Sequence, residues 1–198
     1  MNDPLAHAEH SARTWLAAVA ERLGTEDRRF AHRATRAWLH TVRDRLTVDS
    51  AAHLAAQLPE FLRGTFYEGW VPSRVPVRYG PAEFTTRFAR EAGVGEDEVP
   101  GVAGEVTGAL SALLSPGELD HVFALMPPAL RGELDGSVRE ADRRIAALEA
   151  RVDALTEAVA ALVRGLEEVP ADEPEPGRGA RAAQEAHRIL ITQAATHG

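Results

Sequence analysis

Apolar side chains recur at helical spacing through most of the chain, and the runs are broken by Pro, Gly and short polar clusters. Asp3 and Pro4 open a first helix that closes at Gly24. Thr25 caps a second helix running to about Leu46, Thr47 caps a third ending near Leu58, and Pro59 starts a short fourth. Comparable marks follow at Pro81, at Gly93, at the acidic residues Glu96, Asp97 and Glu98, and at Ser115-Pro116-Gly117-Glu118, which reads as a capping box. Between the two series lies GWVPSRVPVRYGP, with three prolines and no helical period, expected as an extended connector. From Val138 the pattern becomes a strict heptad: Val138, Ile145, Val152, Val159 and Leu166 fall at a, and Ala141, Leu148, Leu155, Leu162 and Val169 at d. β-Branched residues at a with Leu at d favour a parallel two-stranded coiled coil, so this seam predicts a homodimer. PADEPEPGRG follows, Pro-rich and acidic, expected as a disordered linker, and then a short tail helix.

One phrase is written twice. HLAAQLPEFLRGTFYEGW, from His53, matches HVFALMPPALRGEL, from His121, at a constant offset of 68, pairing Pro59 with Pro127 and Leu62, Arg63, Gly64 with Leu130, Arg131, Gly132. Upstream, Trp15 to Gly24 matches Phe84 to Gly93 at an offset of 69. A duplicated helical unit explains both. Its repeated phrase is a corner: the Leu-Pro or Met-Pro step stops one helix. A Leu then packs inward, and Gly64 or Gly132 is expected to supply a positive φ where the short helix ends.

Composition narrows the functions open to such a chain. Cysteine and lysine are both absent, which removes disulfides, thiolate chemistry, the lysine of a Walker phosphate loop and a Schiff base. No stretch approaches the roughly 18 apolar residues of a membrane span, and the N-terminus lacks the pattern of a signal peptide, so a cytoplasmic location is expected and no membrane partner. The net charge of −8 is uneven. Residues 1 to 80 hold 11 Arg against 9 acidic residues, whereas residues 81 to 136 hold 3 against 10.

The order of RDRL, HLAAQLP, RG and GW within RAWLHTVRDRLTVDSAAHLAAQLPEFLRGTFYEGWVP closely resembles the bacterial family catalogued as domain of unknown function 2267, over about residues 10 to 135. The resemblance implies an all-helical domain. It carries no catalytic residue to this chain, because the family has no assigned activity.

Three constellations remain as candidate chemistry. On the second helix Arg29, Arg33, Arg36, His40 and Arg43 share one stripe, which suits phosphates, nucleic acid or an acidic protein surface, the chain's own second copy among them. No aromatic residues interleave the stripe for base stacking, so protein is favoured over nucleic acid. His53 and His121 occupy equivalent positions and invite a metal or acid-base reading, with helix capping or a backbone bond as the simpler role. Phe66, Tyr67 and Trp70 form the densest aromatic cluster; they either seal the groove between the copies or, with Gln57 and Arg63, border a partner pocket. No nucleophile with a base, no paired catalytic carboxylates and no phosphate cradle stand out, so neither catalysis nor a cofactor or metal is expected.

These readings converge on an all-α protein. Residues 1–136 form a duplicated helical domain, with one repeat at 4–70 and the other at 81–134. A coiled coil at 137–169, a linker at 170–179 and a tail helix at 180–196 complete it. The function expected is a cytoplasmic adaptor or regulatory module with an unknown protein partner. The alternatives are a nucleic-acid-associated regulator using the Arg stripe and a small-ligand sensor with a pocket between the repeats.

Overall fold

The computed structural model describes residues 4–167 and, in the tail, residues 184, 186 and 188. The described residues are helical, joined by turns and short loops, without a strand. Four helices, α1 (Pro4–Arg22), α2 (Arg28–Arg43), α3 (Val48–Gln57) and α4 (Glu60–Tyr67), precede the connector. Four more follow in the same order of lengths, two long and then two short: α5 (Pro81–Ala92), α6 (Val99–Leu113), α7 (Glu118–Ala124) and α8 (Pro128–Asp135). The last is α9 (Ser137–Glu167). Asp3 and the linker at 170–179 lie outside the described residues, as does most of the predicted tail helix.

The chain divides into two compact units, residues 1–139 and 140–198. The first is organised around α2, which lies against α1, α4, α5 and α6. Its sequence explains that central place: Ala31, Ala34 and Ala37 let neighbouring helices approach closely, while Trp38, Leu39 and Val42 supply bulk, and all six are fully buried. One continuous apolar core takes Leu54, Leu62 and Phe66 from the first four helices and Phe84, Phe88, Val106, Leu110 and Leu130 from the next four. The indole of Trp38 is not left unsatisfied there. Its Nε1–H donates to Thr107 Oγ1 at 2.8 Å, and that hydroxyl donates to the Leu134 carbonyl at 2.6 Å, joining α2, α6 and α8 by one buried relay.

The repeated phrase is indeed a corner. Leu58 is the C-cap of α3 and Leu125, just before Met126, that of α7; Pro59 and Pro127 stand at the N-caps of α4 and α8, and Leu62 and Leu130 are buried behind them. The Arg that follows closes each corner by returning to the carbonyls freed by the break. Arg63 donates from Nε to the Ala55 carbonyl at 2.9 Å and from Nη2 to that of Leu58 at 3.0 Å; Arg131 donates from Nε to the Met126 carbonyl at 3.0 Å.

Several local expectations are corrected. Gly64 and Gly132 sit inside α4 and α8 with ordinary helical backbone, and the positive φ falls instead on Gly69 (64°) and Gly136 (74°), beyond the true helix ends. The cap of α2 is Asp27, whose carboxylate accepts from the Arg29 and Phe30 amides; Thr25 instead accepts from the Asp27 amide, and α2 ends at Arg43 rather than near Leu46. Ser115-x-x-Glu118 is not a capping box. Gly117, at φ 84°, turns the chain so that the Ser115 hydroxyl donates to Gln57 and the Glu118 carboxylate faces His53. The Thr47 cap stands as read, accepting from the Ser50 amide at 3.3 Å. The connector is not wholly extended, since Pro72–Arg74 form a single 3₁₀ turn.

In the second unit α9 presents two different stripes. The a and d side chains Ile145, Leu148, Val152, Leu155, Val159 and Leu162 are all exposed, by 38 to 59%. Ala154, Ala158 and Ala161, at helical spacing on another face, are buried, as is Ala186 in the tail. Ala141 is exposed as well, while the side chains of Val138, Leu166 and Val169 lie outside the described residues.

Candidate functional site

The Arg stripe of α2 folds into contacts within its own domain. Arg33 donates from Nε to the Ala92 carbonyl at the end of α5, at 3.1 Å. Arg36 bridges two carboxylates, Glu68 at 2.9 Å and Glu91 at 3.1 Å. His40, buried one turn on, donates from Nε2 to the Thr65 carbonyl at 2.7 Å and places Nδ1 2.7 Å from Glu91. Arg43 is almost wholly buried; its Nη1 donates to the carbonyls of Phe66 and Glu68, and its Nε and Nη2 to Asp44. Arg29, on the first turn, is exposed. The stripe thus ties the two sets of four helices together and holds the end of α4, and only its N-terminal Arg projects freely.

Gln57, Arg63, Tyr67 and Trp70 each turn to a different neighbour. Gln57 accepts from Ser115, Arg63 closes its corner, and Tyr67 lies edge-on to Phe66 and tilted against Trp70, each at 5.2 Å between ring centres. Tyr67 and Trp70 pack against the shared core. His53 and His121 do come together, 6.2 Å apart in an edge-to-face arrangement, and His53 Nε2 lies 3.1 Å from the buried Glu118 carboxylate. Among the described residues no group of three or more His, Asp or Glu is placed to hold a metal ion.

A concave site opens beside the connector. Its cavity, of about 380 Å³, is lined by Arg43 and Asp44 at the end of α2, by Gly69, Val71, Arg74, Val75 and Val77 of the connector, and by Arg87 of α5. The connector is strapped down to make this wall: the Val77 amide donates to the Asp44 carbonyl at 2.6 Å, and Arg45 Nη1 donates to the Val77 carbonyl at 2.8 Å. Tyr79 anchors the next turn. Its hydroxyl donates to the Thr41 carbonyl, and the guanidinium groups of Arg45 and Arg87 lie over its ring at 5.3 and 4.9 Å. Burial, reinforced by the Asp44 carboxylate, pushes the phenol far above its usual range, so it remains a neutral donor.

Of the residues singled out from the sequence only Arg43 lines this cavity. Arg74, Arg87 and Asp44 were not singled out, because they come from the connector, α5 and the end of α2 and share no spacing. The available signal was the connector itself: an Arg-bearing, Val-rich segment without a helical period has to be held against the domain by something.

Residues 12–133 match the model of a family described as an uncharacterised conserved protein, DUF2267. No curated protein matches the chain. Among the described residues no helix is long and apolar enough to cross a membrane.

Proposed function

We propose that this chain, which belongs to the DUF2267 family, is a cytoplasmic helical adaptor or regulatory module that binds rather than catalyses and works as a homodimer through α9. The observation that carries the reading is the exposed stripe from Ile145 to Leu162, six large apolar side chains at uninterrupted heptad spacing. Completing the burial of a side chain already half covered contributes ~1 kcal/mol. Repeated along two helices, that is the order of energy a moderate coiled coil requires. Ile145, Val152 and Val159 at a with Leu148, Leu155 and Leu162 at d favour two parallel strands. Arg144 at g would face Glu149 of the partner subunit at e.

The duplicated domain then stands as the binding head, doubled by the pairing of α9. A nucleic-acid role is the weaker reading, since Arg33, Arg36 and Arg43 already spend their donors inside the domain. Light scattering tests the dimer directly. The full chain is expected at twice its monomer mass at micromolar concentration, and Leu155→Asp, which places a charge in the seam, is expected at the monomer mass with unchanged helicity of residues 4–135. A monomeric full chain, or a dimer that survives Leu155→Asp, overturns the reading.

A further inference from the structure

We infer that the cavity beside the connector binds a small organic anion, a carboxylate or phosphate head group on a compact apolar body. This does not depend on the pairing of α9, because every lining residue belongs to the first unit. Its size, about 380 Å³, is within the range of small-molecule pockets and too small for a macromolecular surface. Charge selects the class of ligand. Arg43 and Asp44 neutralise one another, with each of the Arg43 nitrogens already bonded. Two guanidinium groups remain to give the cavity its sign. Arg74 is exposed on the 3₁₀ turn and makes no ion pair among the described residues, and Arg87, whose guanidinium also lies over the Tyr79 ring, gives hydrogen bonds from Nε and Nη2 only, both to the same oxygen of Glu83. That second pair joins successive turns of an exposed helix face, the kind of ion pair that contributes little and yields readily to a better-placed anion.

The net charge of −8 is carried by residues 81–198, whereas residues 1–80, which supply all the lining residues but Arg87, hold 11 Arg against 9 acidic residues, so a cavity with an excess of two Arg lies in the part of the chain that favours anions. Planar guanidinium forks match carboxylate and phosphate oxygens in pairs, and Val71, Val75 and Val77 offer an apolar wall for whatever carries the head group. Inorganic ions would satisfy the Arg groups and leave that wall unused, which is why an organic anion is the better occupant.

The test uses the full chain and three probes of similar shape: phenyl phosphate, phenylacetate, and benzyl alcohol as the uncharged control. Calorimetric titration is expected to give saturable binding of at least one anion at millimolar concentration or tighter, with a parallel rise in melting temperature and no binding of the alcohol. The two anions decide between a phosphate and a carboxylate head. Arg74→Ala, at an exposed position whose side chain makes no hydrogen bond or ion pair among the described residues, is expected to keep the melting temperature of the free protein and to weaken binding about tenfold or more. Arg13→Ala, at an exposed Arg on α1, is the control and is expected to leave binding unchanged. The inference fails if neither anion binds saturably, if benzyl alcohol binds as well as the anions, or if Arg13→Ala weakens binding as much as Arg74→Ala.

Discussion

His32 shows how a single residue on α2 can set a condition on the whole fold. Its ring lies 5.7 Å from that of Phe61, and its Nε2 is buried without a hydrogen-bond partner among the described residues. Burial holds its pKa below the ordinary 6.5, partly opposed by Glu68 and assisted by Arg36. A depressed folded-state value means that the unfolded chain takes up the proton first. The contribution of His32 to stability is therefore present above about pH 6.5 and is lost as the pH falls from there through the folded-state value. Urea melts at pH 7.5 and pH 5.5 are expected to show a smaller loss of stability for His32→Gln than for the native chain. An identical loss in both would remove His32 as a contributor. Nothing in the sequence marks this residue, since a His beside apolar positions on a helix looks the same whether its ring is wetted or covered. The neighbouring Arg stripe was legible as a face, and its ties to Glu68, Glu91 and Ala92 were not, because those partners lie 32 to 59 positions away.

At the scale of helices, the elements that could be read were those stopped by covalent geometry. A Pro pushes the residue before it out of helical backbone, so the breaks at Leu58-Pro59 and Met126-Pro127 are legible in the sequence, although α7 is already capped at Leu125, one residue earlier. Caps were less legible. Thr25 and Asp27 both suit an N-cap, and the choice between them depends on where α1 delivers the chain; Ser115 had an equally good local partner in principle and took Gln57 instead. Glycines divide in the same way, since their role is set by what approaches them. Gly64 is helical with open space around it, so Gly64→Ala is expected to stabilise the domain by roughly 0.5–1 kcal/mol. Gly104 is also helical, but a Cβ there would come within 3.1 Å of the Gly136 backbone, where φ is 74° and α8 gives way to α9. Neither backbone can yield without displacing its helix, so Gly104→Ala is expected to destabilise by about 1–3 kcal/mol. Thermal melts of the two variants should move in opposite directions, and a shift of the same sign in both contradicts the packing described.

For the molecule as a whole, the all-helical class was readable from periodicity and a single helical domain over residues 1–136 from the paired phrases, whereas the particular contacts that join the two sets of helices were not. Periodicity reports which face of a helix is apolar and is silent on what covers it. In the fold, much of what covers α2 comes from beyond the connector. Phe84 and Phe88 belong to the same core as Trp38, Thr107 receives the Trp38 indole N–H, and Glu91 receives both Arg36 and His40. A chain ending at residue 72 keeps α1 to α4 and loses all of these, so that Trp38 and the core side chains around it are exposed to water and Arg36 and His40 lose Glu91. Full burial of each large apolar side chain contributes about 1.5–3 kcal/mol, and that contribution is forfeited for every core residue left uncovered. The total stability of a domain is only about 5–15 kcal/mol, so the deficit exceeds what a fragment of that size can absorb. Residues 1–72 are therefore expected to give weak helical circular dichroism without a cooperative thermal transition, and residues 1–136 a cooperative one. A fully helical, cooperative melt from residues 1–72 would mean that the first four helices hold their own core, and that the ties across the connector join two units rather than complete one.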